Sequence, residues 1–247
     1  MAALISHFYN EEYLLPYWLD HHKRIFDNGI MIDYDSTDNS VDIIKKCCPN
    51  WKIIKSINRD FGARAVDSEV MQIEQSINDW KMVLNTTEFL VTSNLNGILN
   101  KYPKNTMLET NGIAVCGESE VPSILTIKKG VISDNNRRNR KIHNYEKGNY
   151  IDGRHESTHF CIRENMYTVW YSHFPWNEST IQRKLQIQNR IPEYDKIMRL
   201  GYQHITTRDA LNNDYLKFSE NVYDLFEDYN FKQIFLNMIL NYYPELA

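Results

Sequence analysis

The feature that most constrains the fold is a pattern repeated within the first forty residues, in which a short apolar run is followed by a polar turn. The first run, 2–5, leads into His7-Phe8-Tyr9-Asn10-Glu11-Glu12, and the second leads into Asp33-Tyr34-Asp35-Ser36-Thr37-Asp38. Apolar residues recur at helical spacing over 12–26, between the two turns. A crossover helix makes consecutive strands parallel, so both polar turns lie at the same edge of the sheet. The chain therefore begins with a predicted strand-helix-strand unit.

Polar groups just beyond the carboxyl ends of parallel strands mark the usual ligand site of open α/β sheets. Backbone N–H groups and helix N-termini point toward that edge, where they can hold anionic groups. The two N-terminal turns therefore predict a nucleotide site at this end of the sheet.

The same alternation continues up to Leu90. It predicts a helix that starts at Ser36 or Asp38 and runs to Cys47, strands at 51–57 and 81–84, and a helix over 62–78. Four such units indicate an α/β fold with a mostly parallel, doubly wound, Rossmann-like sheet flanked by helices.

The second half of the chain has a looser pattern. Strands are predicted at 113–115 and 124–127, and helices over 179–191 and 215–243. The long polar stretch 133–157 is typical of a binding loop or lid. We therefore predict a catalytic and nucleotide-binding domain over 1–190, with a C-terminal helical extension, 191–247, packed on it.

Composition limits the partners of the chain. It has 247 residues, 42% of them hydrophobic, which is enough for a full core, and a net charge of −4. A general nucleic-acid or membrane-surface binder needs a strong positive field, so neither is expected. The sequence has no apolar run of about 18 residues and no pattern of a signal peptide, which predicts a soluble, cytoplasmic protein without a membrane span. The sequence is also compatible with one domain of a longer chain.

Four segments, in order, carry a resemblance to a known family. The first is the turn at 7–12 with Trp18-Leu19-Asp20-His21-His22 after it, and the second is the turn at 33–40. The third runs from Asp79-Trp80 to Glu88-Phe89-Leu90, and the fourth is His173-Phe174-Pro175 with Ser179 and Lys184 after it. Together they resemble glycosyltransferases with the GT-A fold, of the family-2-like kind, over residues 2–190.

This resemblance implies a nucleotide-sugar donor, above all a UDP-sugar, and a glycan acceptor. Some similar enzymes of large DNA viruses transfer rhamnose or other sugars to capsid glycans, so a deoxyhexose such as rhamnose is among the implied sugars.

A nucleotide-sugar donor needs a flat contact for its base, a hydrogen-bond acceptor for its ribose and positive charge for its phosphates. Tyr9 is predicted to pack against the base, and Asp33 to accept a hydrogen bond from the ribose or base. Arg64, at the start of the third helix, can bind phosphates bidentately. The alternatives are a core aromatic for Tyr9, a turn residue for Asp33 and a solvated arginine for Arg64. Four further donor-binding candidates are His7, Glu11, Asn85 and Thr87.

The segment Asn85-Thr86-Thr87 stands where GT-A enzymes have Asp-x-Asp, whose carboxylates hold Mn²⁺ or Mg²⁺. Three neutral side chains are weak ligands for a hard cation. Two alternatives follow: either Glu88 and His173 hold a divalent cation, or transfer proceeds without a metal. His173 could also contact phosphate or serve as a core histidine.

Metal-independent transfer needs fixed positive charge beside the leaving diphosphate. The basic run at 137–143 is predicted to supply it as a loop that folds over the phosphates or the acceptor, the alternative being a solvated surface loop. Its candidate residues are Arg137, Arg138, Arg140, Lys141 and His143.

An inverting transferase also needs a carboxylate that takes the proton of the acceptor hydroxyl. The catalytic candidates are Asp152, in the polar turn Asp152-Gly153-Arg154-His155, and Glu88, just past the fourth strand. Loss of the Asp-x-Asp carboxylates leaves a second function open, that of an inactive relative that binds a sugar nucleotide or glycan without turnover.

Overall fold

The computed structural model describes residues 2–133, 138–151, 153–198, 200–201 and 204–246. Its N-terminal part alternates strands and helices, as the sequence predicts. The strands are β1 (Ala3–Phe8), β2 (Asn28–Asp33), β3 (Lys52–Lys55) and β4 (Lys81–Val83). The helices between them are α1 (Leu15–His22), α2 (Ser40–Cys47) and α3 (Ala63–Glu74).

These four strands are parallel neighbours in the order β3-β2-β1-β4. Side chains alternate between the two faces of a strand, so each strand serves two layers. Leu4 and Met82 belong to the cluster that includes α1 and α2, whereas Ile5 and Val83 pack with Val66 of α3 on the other face. Helices therefore cover both faces, which confirms the doubly wound arrangement of this half.

The second half adds strands that run in both directions and the helices α4 to α8. Its elements are β5 (Glu88–Val91), α4 (Leu95–Leu99), β6 (Met107–Cys116), β7 (Lys129–Ser133), β8 (Lys141–His143), β9 (Cys161–His173), α5 (Glu178–Ile187), α6 (Glu193–Ile197), α7 (Arg208–Ser219), β10 (Tyr223–Asp224) and α8 (Tyr229–Tyr242).

One continuous sheet joins the two halves. β8 pairs antiparallel with both β4 and β6, and β6 continues through β7 to β10. The long strand β9 runs parallel to β6 and antiparallel to β5. The predicted α/β class, with a central sheet flanked by helices, is confirmed, and the antiparallel neighbours come from the second half.

Three local predictions for the second half are wrong. Residues 124–127 form a short 3-10 turn (Ile124–Thr126) instead of a strand, because the Ser123 hydroxyl accepts the Leu125 N–H and turns the backbone. The stretch 133–157 is not a continuous loop, since β8 fills the gap between β4 and β6. The helix predicted over 215–243 is interrupted by β10, which pairs with β7.

The last helix belongs to the main core. Phe231, Phe235 and Met238 of α8 are buried in the same cluster as the first crossover helix, and Phe231 meets the ring of Tyr167 in β9 edge to face. None of the helices in the described part of the chain combines the length and apolar character that crossing a bilayer requires.

Candidate functional site

A pocket of about 290 Å³ lies at the carboxyl ends of β1 and β4, the two neighbours between which the strand order reverses. His7 and Tyr9 reach it from β1 and the turn after it, and 85–88 reach it from the end of β4. The first turn of α3, the segment 153–155, β9 and α5 complete its walls. Open α/β sheets bind ligands at such a reversal because neighbouring crossovers leave to opposite faces and open a crevice there.

The structure brings together part of the predicted site. The predicted residues that line the pocket are His7, Tyr9, Glu11, Asn85, Thr87, Glu88 and Arg140. Those absent from the described lining are Asp33, Arg64, Arg138, Lys141, His143 and His173. Two predicted residues, Arg137 and Asp152, lie outside the described residues.

Lys141 and His143 belong to the sheet rather than to a loop, which corrects their predicted setting. Lys141 is buried against the carboxylate of Glu109 and donates to the His155 carbonyl at 3.0 Å. The His143 Nε2 atom lies 3.0 Å from Glu74 Oε1. Both side chains thus have polar partners within the protein.

The two polar turns that open the chain bind each other. The Glu11 N–H donates to Ser40 Oγ at 2.8 Å and the Glu12 N–H to Asp38 Oδ2 at 3.0 Å. In the other direction, the Thr37 N–H donates to Asn10 Oδ1 at 2.8 Å. We call this set of bonds between 10–12 and 37–40 the turn clasp. It fixes the backbone of Glu11, which lines the pocket.

Asp33 shapes the second turn, since its Oδ1 atom accepts the Ser36 N–H at 2.9 Å.

Tyr9 does lie in the pocket wall, where the guanidinium carbon of Arg190 is 3.7 Å from its ring centroid. Arg190 is held in turn by the Tyr34 carbonyl, at 2.8 Å. Tyr9 and Arg190 thus form one flat, cationic wall of the pocket.

A chain of charge-assisted hydrogen bonds forms another part of the wall. Arg140 Nε donates to Glu88 Oε2 at 2.9 Å, and a second guanidinium nitrogen donates to Oε1. The Asn85 N–H also donates to Glu88, at 2.7 Å, while Asn85 Oδ1 accepts from Arg154 at 2.7 Å. Arg154 completes the chain by pairing with Asp67. All five side chains are therefore held in place before any ligand arrives.

This chain of bonds bears on the metal that the sequence left open. Burial alone would raise the pKa of Glu88, but Arg140 and the bonds it receives hold that pKa below its usual range. Both Glu88 oxygens are occupied by Arg140 and Asn85, and His173 is not in the described lining. The described residues contain no group of three or more His, Cys, Asp or Glu side chains placed to hold an ion. These residues do not fit a divalent cation, which the sequence left as one of two alternatives.

The pocket instead carries an excess of positive charge. Five cationic side chains are in its described lining, against three carboxylates, Glu11, Asp67 and Glu88. The cations are Arg140, Arg154, Arg183, Lys184 and Arg190. Within the described part of the chain, Lys184 has no carboxylate at ion-pair distance, and burial with the nearby Arg183 lowers its pKa to about 8.

The carboxyl of Glu11 differs from that of Glu88. Its burial raises its pKa, and the single contact from Arg183, at 3.2 Å, only partly opposes this effect. The pKa of Glu11 is therefore shifted upward where that of Glu88 is shifted downward.

Several buried polar atoms around the pocket lack a partner among the described residues. They are His7 Nδ1, Glu11 Oε2, Arg154 Nε, His155 Nδ1 and Tyr171 OH. Burial lowers the pKa of His7 strongly and that of His155 to about 3, so both rings are neutral. Buried polar atoms without partners are rare and costly, and their concentration around one pocket is typical of a ligand site.

The cations of α5 and the turn after it were not among the predicted site residues. Arg183, Lys184, Ile187 and Arg190 follow one another at positions i, i+1, i+4 and i+7, which places them on one side of a helix. That spacing was a signal available in the sequence. What it could not tell is that this side faces the ends of β1 and β4.

Comparison with protein-family models finds no match, and comparison with curated proteins finds none either. Solved structures are similar to the chain at low identity. S. aureus TarS 1–349 is 13% identical, with 98% of this chain and 80% of that chain covered and a TM-score of 0.45. TarS 1–349 in complex with UDP is 15% identical, with 58% and 46% covered and a TM-score of 0.40.

HddC from Yersinia pseudotuberculosis is 9% identical, with 66% of this chain and 89% of that chain covered and a TM-score of 0.39. The chain spans less than half of three of the matched TarS chains, namely 24%, 39% and 46% of their lengths. All of these TM-scores are below 0.5.

Proposed function

We propose that the chain is a glycosyltransferase that moves a sugar from a nucleotide-sugar donor, with UDP as the nucleotide, to the hydroxyl of a glycan. The observation that carries this proposal is the cationic pocket at the strand-order reversal, where the described lining has five cations and three carboxylates. Such a pocket suits a ligand with two phosphate charges.

The proposed position of the diphosphate is beside α5. When the bond between the anomeric carbon and the diphosphate oxygen breaks, negative charge develops on that oxygen. Lys184 and Arg183 supply positive charge there from one helix, α5, and preorganised charge of this kind stabilises the transition state. In this proposal they replace the metal, because Glu88 is already bound to Arg140. The base packs against the wall formed by Tyr9 and Arg190.

Two carboxylates are proposed as acceptors of the hydroxyl proton. Asp152 is the first, and its neighbour Gly153 lines the pocket. Glu11 is the second, because burial raises its pKa and its partner Arg183 makes only one contact. The test is to measure the transfer rates of the variants Asp152→Asn and Glu11→Gln. The variant that lacks the catalytic base should lose kcat by orders of magnitude, and the other should not. Glu88 is the weaker candidate because both of its oxygens are occupied.

The test of donor binding is a calorimetric titration of UDP, UDP-GlcNAc, and GDP- and dTDP-sugars, with Mn²⁺ and again with excess EDTA. We expect UDP compounds to bind, with little change in EDTA. Lys184→Gln should weaken binding about tenfold, as expected for a lost charge-assisted contact, whereas the control Arg208→Gln on α7 should not. Binding that requires Mn²⁺ would refute the metal-independent part, and the absence of any donor binding would refute the function.

The second function, a module that binds sugar nucleotide without turnover, is favoured by one observation. Glu88, which follows the altered Asp-x-Asp segment, is fully engaged by Arg140 and Asn85. Incubation with UDP-sugars and a glycan mixture separates the two functions. Release of UDP that depends on the added glycan identifies a transferase, whereas donor binding without release of UDP identifies a binding module.

A further inference from the structure

A second cluster of side chains lies beside the pocket, and of its members only Trp170 belongs to the described lining. It centres on Arg138, whose guanidinium carbon is 4.7 Å from the centroid of the Trp170 ring and 5.9 Å from that of Phe218. We call this group the Arg138 cluster. Its members are Arg138, Trp170, His173, Trp176, Tyr215 and Phe218.

Arg138 differs from the other buried arginines near the site. Arg140 and Arg154 each pair with a carboxylate. Arg138 has no ion pair and no hydrogen bond from its guanidinium to any residue of the described ranges, and its burial lowers its pKa. A guanidinium carries five N–H donors, and a partly buried cation without an anion is unfavourable. The cluster thus has the charge and the donors for an anion.

The position of Arg138 is fixed by the sheet beneath it. A Cβ atom on Gly112 of β6 would lie 2.5 Å from Arg138 Cβ and 2.7 Å from the Arg138 carbonyl carbon. The Gly112 N–H also donates to Asn139 Oδ1 at 2.8 Å. Only glycine allows this close approach. Arg138 is therefore seated on the sheet rather than carried by a solvated loop.

The rest of the cluster suits a sugar ring. Trp176 and Tyr215 stack with centroids 4.7 Å apart and an angle of 5° between the planes. The His173 ring lies 5.3 Å from Trp176 and 5.2 Å from Phe218, and its buried Nδ1 atom has no partner in the described part of the chain. These rings are half-buried. Aromatic surfaces pack against the C–H faces of a pyranose, and a free ring nitrogen can bind a hydroxyl.

The cluster and the donor pocket share a wall. Trp170 lines the pocket and also contacts Arg138. Lys184, whose charge helps to lower the pKa of His173, lines the pocket as well. A ligand on the cluster therefore lies next to the donor pocket, on the other side of Trp170.

We propose that the Arg138 cluster binds the acceptor through a sugar residue that carries an oxyanion, either a phosphate or a carboxylate. Arg138 binds the anionic group, the aromatic rings contact the sugar, and a hydroxyl is directed toward the donor. The assignment of this ligand as the acceptor rests on the proposed transferase function.

The test titrates the full chain, saturated with UDP, with four probes followed by ligand-observed NMR and calorimetry. The probes are glucose 6-phosphate, glucuronate, methyl glucoside and inorganic phosphate. UDP fills the diphosphate site, so the phosphate of a probe cannot bind there. We expect glucose 6-phosphate or glucuronate to bind at least tenfold more tightly than methyl glucoside or inorganic phosphate. Whichever of glucose 6-phosphate and glucuronate binds more tightly shows whether the site prefers a phosphate or a carboxylate.

Variants then assign the site. Arg138→Gln should weaken binding of the anionic probe about tenfold and leave binding of UDP unchanged. Lys217→Gln, on the exposed side of α7, should leave both affinities unchanged. Arg138→Lys, which keeps the charge without the planar fork, should recover part of the affinity. Equal binding of all four probes, or unchanged binding by Arg138→Gln, would overturn the proposal. If UDP itself does not bind, the transferase function fails, and the same comparison without UDP still tests the anion site.

Discussion

At the scale of single residues, Lys184 is the pocket cation whose charge depends on pH near neutrality. Burial lowers its pKa to about 8, so it is protonated below pH 8 and loses its charge above it. A terminal phosphate, with a second pKa of about 6, changes little in this range. Any part of nucleotide binding that depends on Lys184 must therefore weaken as the pH rises through about 8.

We accordingly predict that the affinity for UDP falls about tenfold between pH 7 and pH 9.5, the loss expected for one charge-assisted contact. Lys184→Arg keeps a charged side chain over this range, so its affinity should stay nearly constant. Calorimetric titration of both proteins at several pH values is the measurement. The same pH dependence in wild type and Lys184→Arg would show that another group is responsible.

Glu88 gives a second prediction at this scale. Its carboxylate neutralises the buried Arg140, and removing one partner of a buried pair leaves an uncompensated charge. Glu88→Gln should reduce the free energy of unfolding by about 3 to 5 kcal/mol at pH 7, measured by urea denaturation. Because the pKa of Glu88 is lowered in the fold, this contribution should persist above pH 4.5 and disappear as the pH falls through the folded pKa.

The matched control is the exposed ion pair between Glu178 and Arg208. Glu178→Gln should leave the urea midpoint nearly unchanged, since solvent screens an exposed pair. A similar loss of stability in both variants would mean that burial does not determine the strength of the Glu88 pair.

At the scale of elements, the turn clasp explains why two loops far apart in sequence act as one unit. The Ser40 hydroxyl is fully buried at the start of α2 and accepts the Glu11 N–H at 2.8 Å. This bond fixes the turn after β1 relative to α2. The pocket position of Glu11 thus depends on an element that does not itself line the pocket.

We predict that Ser40→Ala lowers the free energy of unfolding by about 1 to 3 kcal/mol, because a buried N–H loses its acceptor. The affinity for UDP should fall as well, since the Glu11 turn loosens. Urea denaturation and UDP titration measure the two effects. Thr37→Ala removes an exposed bond to Asn10 of the same clasp and serves as the control, with little expected change. Equal effects of the two variants would contradict the assigned role of Ser40.

At the scale of the whole molecule, the C-terminal residues contribute to both core and pocket. Phe231 of α8 is fully buried, and Gly201 and His204 line the pocket. The range 1–190 therefore lacks part of its own core when it is separated from 191–247. We predict that 1–190 alone does not unfold cooperatively, which circular dichroism during urea denaturation can test.

A point variant tests the same dependence without truncation. Phe231→Ala should cost about 3 to 5 kcal/mol, the usual range for loss of a buried phenylalanine. Phe160 is 81% exposed, so Phe160→Ala provides a control of equal size change with little expected effect. A folded, cooperative 1–190 together with a mild Phe231→Ala variant would show that 191–247 is an independent extension.

The sequence by itself determined the doubly wound N-terminal half and the sheet edge at which the pocket lies. Those features depend on local periodicity, and a crossover helix fixes strand direction wherever it occurs. It also identified Tyr9, Glu11 and Asn85 as residues near that edge, because they directly follow strands. It could not place Asp33, whose carboxylate turns back to its own loop instead of lining the pocket.

Only the tertiary structure decided how the charges combine. Arg140 was predicted as a free cation of a loop, but the fold pairs it with Glu88, which lies 52 residues earlier in the chain. Lys184 became a pocket residue because α5 packs across the ends of β1 and β4. Arg138, whose backbone lies against Gly112 of β6, has no anionic partner among the described residues. Such pairings join residues remote in sequence, and no local pattern encodes which opposite charge each one will meet.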